Sequence, residues 1–132
     1  MIAIPVELGN RGEAMPSKLF GNARNFLFLD PKTNQFTVTK NTGCGNGIAT
    51  AGFLLENGVT SALYTYLGDG PFYALRRGGA KIFYMGEEPG DLGSLLNTAM
   101  HGTLVEVTEA NAKEMLNPGT DTGACECGCS HE

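Results

Sequence analysis

The sequence predicts an α/β domain built on a mixed β-sheet. Three observations carry this. β-prone runs alternate with helix-period runs after residue 43, two early β runs are joined by turn chemistry, and 19 glycines cluster at the boundaries. Strands alternating with helices need crossover connections and hence parallel neighbours. The leading hairpin adds antiparallel pairing and makes the sheet mixed.

Ile2–Val6 is a short apolar β run. Pro5 predicts that it stops there or lies on an edge, because proline has no N–H for a ladder. Residues 7–22 are polar and Gly-rich and read as one long loop. Phe26–Asp30 is apolar and β-prone, Pro31-Lys32-Thr33-Asn34 is turn chemistry, and Phe36–Thr39 alternates, so these read as a hairpin. The period then changes. After Gly43-Cys44-Gly45-Asn46-Gly47, the residues Ile48, Ala51, Leu54 and Leu55 share one helical face, and Gly58 fits the position just past the helix end. Val59–Leu67 reads as a strand. A helix with Pro71 in its first turn runs to Arg77 and stops at Gly78-Gly79. Lys81–Met85 reads as a strand, and Asp91–Met100 as a helix ended at Gly102. Leu104–Val107 is a candidate short strand, with Thr108 the cap of a last helix through Leu116. The domain therefore spans 1–116, and 117–132, rich in Pro, Gly and Thr and then Cys, reads as a flexible tail.

A chain of 132 residues builds one core without disulfide help. Its net charge is −5 and its nine Lys and Arg are scattered, so the basic stripe of a nucleic-acid binder is missing. No run approaches the roughly 20 apolar residues of a membrane span. The start Met1–Glu7 lacks the basic and long apolar parts of a signal peptide. These features predict a cytoplasmic protein with no nucleic-acid or membrane partner. Thiols stay reduced there, so four cysteines read as metal ligands before disulfides.

Ligands of open α/β sheets bind beyond the carboxyl ends of the parallel strands. The loops after Val6, at Gly68-Asp69-Gly70 and at Gly86-Glu87-Glu88 should meet there. Gly43, Cys44, Gly45, Asn46, Gly47, Gly68, Asp69 and Gly70 are the candidate cofactor-binding residues. Their glycines admit close backbone approach, and N–H groups at a helix start favour an anion. The G-x-G-x-G spacing is no dinucleotide fingerprint, since Ile48 stands where the third glycine belongs. Cys44 has two readings: a small packed residue, or a thiolate favoured by the helix N-terminus.

Cys44, Cys125, Cys127, Cys129 and His131 are the candidate metal ligands. The tail spacing differs from the C-x₂-C of zinc fingers, and in an extended strand its thiols lie about 7 Å apart. A single zinc ion at these cysteines requires the tail to turn, whereas a polynuclear cluster tolerates wider spacing. The plainer alternative is a tail that picks up metal without a role. Glu7, Asp69 and Glu87 offer a second chemistry, two-metal hydrolysis, against their ordinary use as caps and solvated charges. His101 suits a helix end. No Ser-His-Asp order, P-loop or HExxH occurs, and no catalytic residue is assigned.

Several stretches together resemble the dinitrogenase iron–molybdenum cofactor biosynthesis family. They are Ile2–Val6, Ser17-Lys18-Leu19-Phe20-Gly21-Asn22-Ala23 leading into Phe26–Asp30, and Phe53-Leu54-Leu55-Glu56-Asn57-Gly58-Val59. Gly68-Asp69-Gly70-Pro71 and Gly79-Ala80-Lys81-Ile82 follow in the same order. The resemblance covers residues 1–107. It implies a three-layer ribonuclease H-like fold with a five-stranded mixed sheet. It also implies a non-catalytic carrier or scaffold for an anionic metal–sulfur cluster of iron and/or molybdenum, working with cofactor-assembly proteins. The alternatives are a metal-dependent hydrolase or nuclease of the same fold, or a regulatory interaction module with a metal-binding tail. Many members carry His-Phe-Gly where this chain has Leu19-Phe20-Gly21, and leucine cannot ligate a metal.

Overall fold

Strand β1 (Ile2–Leu8) is buried from Ala3 to Val6 because both of its faces are covered. The computed structural model describes residues 1–9, 11 and 13–116. In it β1 pairs antiparallel with β3 (Asn25–Asp30) and parallel with β5 (Ser61–Tyr64). Its far end pairs antiparallel with β2 (Ala14–Pro16). With β4 (Gln35–Lys40), β6 (Lys81–Tyr84) and β7 (Val105–Val107) the sheet order is β4-β3-β1-β5-β6-β7, β2 joining β1 off that path. The described residues thus form a seven-stranded mixed sheet with four helices: α1 (Gly47–Glu56), α2 (Asp69–Arg77), α3 (Leu92–His101) and α4 (Ala112–Met115).

Alternation along the strands divides the core into two layers. Phe26 and Phe28 of β3, with Ala62 and Tyr64 of β5, pack with Phe53 and Leu54 of α1 and Phe72 and Leu75 of α2. Leu27 and Leu29, with Ile4, Val6 and Leu63, take the other face against Leu95 of α3. Tyr64 also donates from its hydroxyl to Met115 O at 2.6 Å, which ties α4 to the first layer; burial pushes that hydroxyl's pKa up. None of the described helices is long and apolar enough to cross a membrane.

The differences from the sequence reading have physical causes. The sheet has seven strands where five are expected; the strands β2 and β7 are three residues each. β2 lies inside the stretch read as a loop, and its pairing is with the backbone of Val6–Leu8, which leaves no periodicity to read. Pro5 does not end β1. Its carbonyl accepts from Ser17 N at 2.7 Å. The N–H it lacks would face this same edge, between the β5 ladder ending at Ala3 and the β2 ladder starting at Val6. β5 ends at Tyr64, short of Leu67, because the chain turns away: Tyr66 N donates to Lys18 O at 3.1 Å and Thr65 Oγ1 to Gly86 O at 2.7 Å. The last helix starts after Asn111, not Thr108, because Asn111 Oδ1 accepts from Thr108 N at 2.8 Å and makes 108–111 a turn. Gly58 and Gly102 do stand past the ends of α1 and α3, at φ +80° and +70°.

Asp91 caps α3, accepting from Ser94 N at 3.0 Å and from the Ser94 hydroxyl at 2.9 Å. These bonds hold its carboxyl below the ordinary value of 3.8. A lowered folded-state pKa gives stability that is fully present above pH 3.8 and is lost as pH falls through the lower folded-state value. Asp91→Ala therefore destabilises the protein at neutral pH, and the deficit shrinks in strong acid. Urea unfolding of both proteins at the two pH values checks this; a deficit independent of pH contradicts it.

Candidate functional site

Where β4 ends, the chain buries a polar side chain. Asn41 is 2% exposed and every hydrogen-bonding arm of its amide is engaged. Its Oδ1 accepts from Gly43 N at 2.9 Å, an Asx-turn over Asn41-Thr42-Gly43. Its Nδ2 donates to Ala23 O at 2.9 Å and to Thr50 Oγ1 at 3.0 Å. Thr50, in the first turns of α1 and also buried, donates its hydroxyl to Gly43 O at 3.0 Å, with Gly21 O 3.3 Å away. Gly45 N donates to Gly21 O at 2.8 Å. Segments 20–24 and 41–46 are thereby locked to each other and to the start of α1.

The locked segments approach as closely as glycine allows. A Cβ on Gly43 would lie 2.5 Å from the backbone carbon of Ala49. One on Gly21 would lie 2.9 Å from Gly47 Cα, and one on Gly47 2.9 Å from Pro71 Cγ. The first turn of α1 consequently sits against the first turn of α2. Asn46 caps α1, its side chain accepting from Ala49 N at 3.0 Å. Gly68 is the N-cap of α2 and supplies no side-chain cap. Between the two helix starts lies a pocket of about 240 Å³. Gly21, Asn22, Gly45 and Gly47 line one side, Tyr66, Leu67, Gly68 and Pro71 the other, with Leu19 and Phe20. Both helix starts reach this small volume, through Gly47 of α1 and through Gly68 and Pro71 of α2. Asn46 already takes the Ala49 and Thr50 N–H groups, and the partial positive charge of a helix start favours an anion.

Of the residues singled out from the sequence, Gly45, Gly47 and Gly68 line this pocket. Gly43 is buried behind the loop, Asn46 is used as the cap, and Gly70 packs on Ile48. Asp69 is exposed in the first turn of α2, where a carboxylate stabilises the helix start. Cys44 is half-buried, its sulfur 3.6 Å from the carbonyl oxygen of Asn22, which lines the pocket. That sulfur is disulfide-bonded, so the approach to Asn22 is a contact without a proton, and a thiolate there requires reduction. Cys125, Cys127, Cys129 and His131 lie outside the described residues. Among the described residues no three His, Cys, Asp or Glu side chains form a metal-holding group, so Glu7, Asp69 and Glu87 do not converge as a two-metal site requires. His101 is exposed at the end of α3, its Nδ1 2.8 Å from Asn97 O, the structural use expected of it.

Some residues of the site were not singled out from the sequence. Asn41, Thr50 and Gly21 build the loop lock, and of these only Asn41-x-Gly43 carries a local turn pattern. Lys18 is another. Its ammonium is 3.1 Å from the Glu88 carboxylate, which raises its pKa. The pair sits at a second pocket of about 480 Å³, which shares Leu19 with the first. Leu19 lines both.

The family described as dinitrogenase iron-molybdenum cofactor matches residues 1–102. Among solved structures, the apo form of the orange protein of Desulfovibrio gigas is similar with a TM-score of 0.69 and 23% identity, over 81% of this chain and 92% of that one. The NMR structure of a Thermotoga protein described as a candidate NifB protein is similar with a TM-score of 0.65 and 25% identity, over 82% of this chain and 97% of that one. No curated protein matches.

If the Asn41 amide holds the loop, Asn41→Ala strands Gly43 N and Ala23 O and costs about 3 kcal/mol. Urea unfolding measures this against Thr42→Ala, an exposed neighbour. Equal losses in the two variants would show that something else fixes the loop.

Proposed function

This chain belongs to the dinitrogenase iron–molybdenum cofactor family, and on that premise we propose that it carries an anionic metal–sulfur cluster in the pocket between α1 and α2. The observation that supports the reading is the convergence of two helix N-termini on one glycine-walled volume of about 240 Å³. Backbone N–H groups suit the sulfur and oxygen atoms at the surface of such a cluster. The described residues offer no ready set of three ligating side chains, so hydrogen bonding and charge hold the cargo there, with Cys44 as a single thiolate ligand once reduced. A cargo held this way is released more readily than one bound by three or four thiolates. That suits a non-catalytic cytoplasmic carrier handing its load to cofactor-assembly proteins. Iron and molybdenum are the metals the family points to. Cys125, Cys127, Cys129 and His131 are proposed as further ligands, with zinc an alternative at those cysteines. The strand order β4-β3-β1-β5-β6, an antiparallel meander followed by parallel strands, also supports a ribonuclease H-like reading of the central five strands.

The test uses the full chain, reduced, titrated with tetrathiomolybdate and followed by amide chemical shifts. Gly45, Gly47 and Gly68 should move most. Gly47→Ala, whose new methyl group presses on Pro71 at the pocket wall, should bind roughly tenfold more weakly. Cys44→Ser should retain less metal, and omitting the reductant should lower uptake. A chain truncated after Asn117 should also hold less metal. Shifts confined to the face of α3, or a folded Gly47→Ala protein with unchanged affinity, would overturn the proposal.

A further inference from the structure

The two ends of the sheet are built differently. β7 is three residues long and carries Glu106, so little of its edge is open to pairing. β4 has six residues in unbroken register with β3, from Gln35 opposite Asp30 to Lys40 opposite Asn25. It has no proline, no bulge and no charge before Lys40, so the usual devices that blunt an edge strand are absent. Its apolar side chains are open, Phe36 at 56% and Val38 at 38%. Both lie on the α3 face of the sheet, because the register sets Phe36 opposite Leu29 and Val38 opposite Leu27, which belong to that core layer. The open strip continues through a groove to Met100 of α3, 40% exposed.

We propose that β4 pairs antiparallel with β4 of a second copy, about a twofold axis through Val38. This register sets Val38 against Val38 and each Lys40 against Phe36 of the other chain, all on one face. Each Lys40 stem then covers an exposed ring, and its ammonium meets the ring face. The two ammonium groups stay roughly 14 Å apart, beyond the screening length of about 8 Å at physiological salt. The strip is self-complementary, its ring meeting the other copy's cation on either side of a shared apolar centre, which is why the occupant is this same strand. The pairing also satisfies the open N–H and C=O groups of the edge.

Sedimentation of the full chain over a range of concentrations tests this, with reductant and chelator present so that no sulfur or metal bridge contributes. Wild type should move toward twice the chain mass. Val38→Lys sets two ammonium groups face to face on the axis and should weaken association roughly tenfold or more. Phe36→Lys, also at an exposed position, should do the same and gives a second readout if one variant loses β structure by circular dichroism. Val105→Lys, on the opposite edge, should leave the mass unchanged. A wild type that stays monomeric up to millimolar concentration overturns the proposal. So does a dimer that survives both β4 substitutions, or one that Val105→Lys disrupts.

Discussion

The buried amide of Asn41 is the interaction on which the pocket depends. A primary amide taken out of water without partners costs several kcal/mol, so burial is tolerable only where its donors and acceptor are met together. Here they are met by three different segments: Ala23 after the long loop, Gly43 in the turn, and Thr50 in α1. No one of these contacts forms fully unless the others are in place. The amide thus ties two loop positions and the first turns of α1 into one unit. Fixing Gly43 and Thr50 fixes where α1 begins, and the glycines at 21 and 47 then let α1 settle against Pro71 of α2. The placement of both helix starts follows from a side chain that touches neither pocket wall.

The sheet supplies the other half of the construction. β1, β5 and β6 are parallel, so their carboxyl ends lie at one crest, and the chain leaving β5 must turn there before α2. Tyr66 N bonding to Lys18 O and Thr65 Oγ1 bonding to Gly86 O tie that crest to the loops beside it. The consequence is a site made chiefly of backbone. Glycine serves here for different reasons at different positions: Gly47 because Pro71 leaves no room for a methyl group, Gly68 because a cap without a side chain leaves the first N–H groups of α2 uncovered.

Much of this could be read from residue order. The hairpin, the alternation of strands and helices, and the ends of α1 and α3 rest on local chemistry: apolar period, Pro31 in a turn, glycine past a helix end. The glycine loops at 43–47 and 68–70 were legible for the same reason. What was not legible depends on partners distant in sequence. β2 exists because the end of β1 offers it a backbone edge, and Pro5 is tolerated in β1 because two ladders meet there. Tyr64 ends its strand where loop contacts begin, and no propensity marks that residue. Asn41 carries a turn signature, yet its tie to Ala23 and Thr50 is invisible until the chain is folded. The reading of Cys44 as a reduced metal ligand rested on compartment, and its sulfur is disulfide-bonded instead.

Backbone N–H groups recognise negative charge and curvature but not chemical identity, so under the proposed carrier role selectivity comes from the walls of the pocket. Leu19, Phe20, Leu67 and Pro71 bring apolar side chains to it, beside Asn22 and Tyr66. Beside apolar side chains a strongly hydrated oxyanion gives up more hydration on entering than a weakly hydrated one. The combination favours large, weakly hydrated, polarisable anions over small hard ones, and sulfur-rich clusters are of that kind. Leu19 sharpens the point. A histidine in its place would add one ligand and one dipole at the wall where the two pockets meet. Leucine offers neither, so under the proposed carrier role softness and shape distinguish the cargo at this wall.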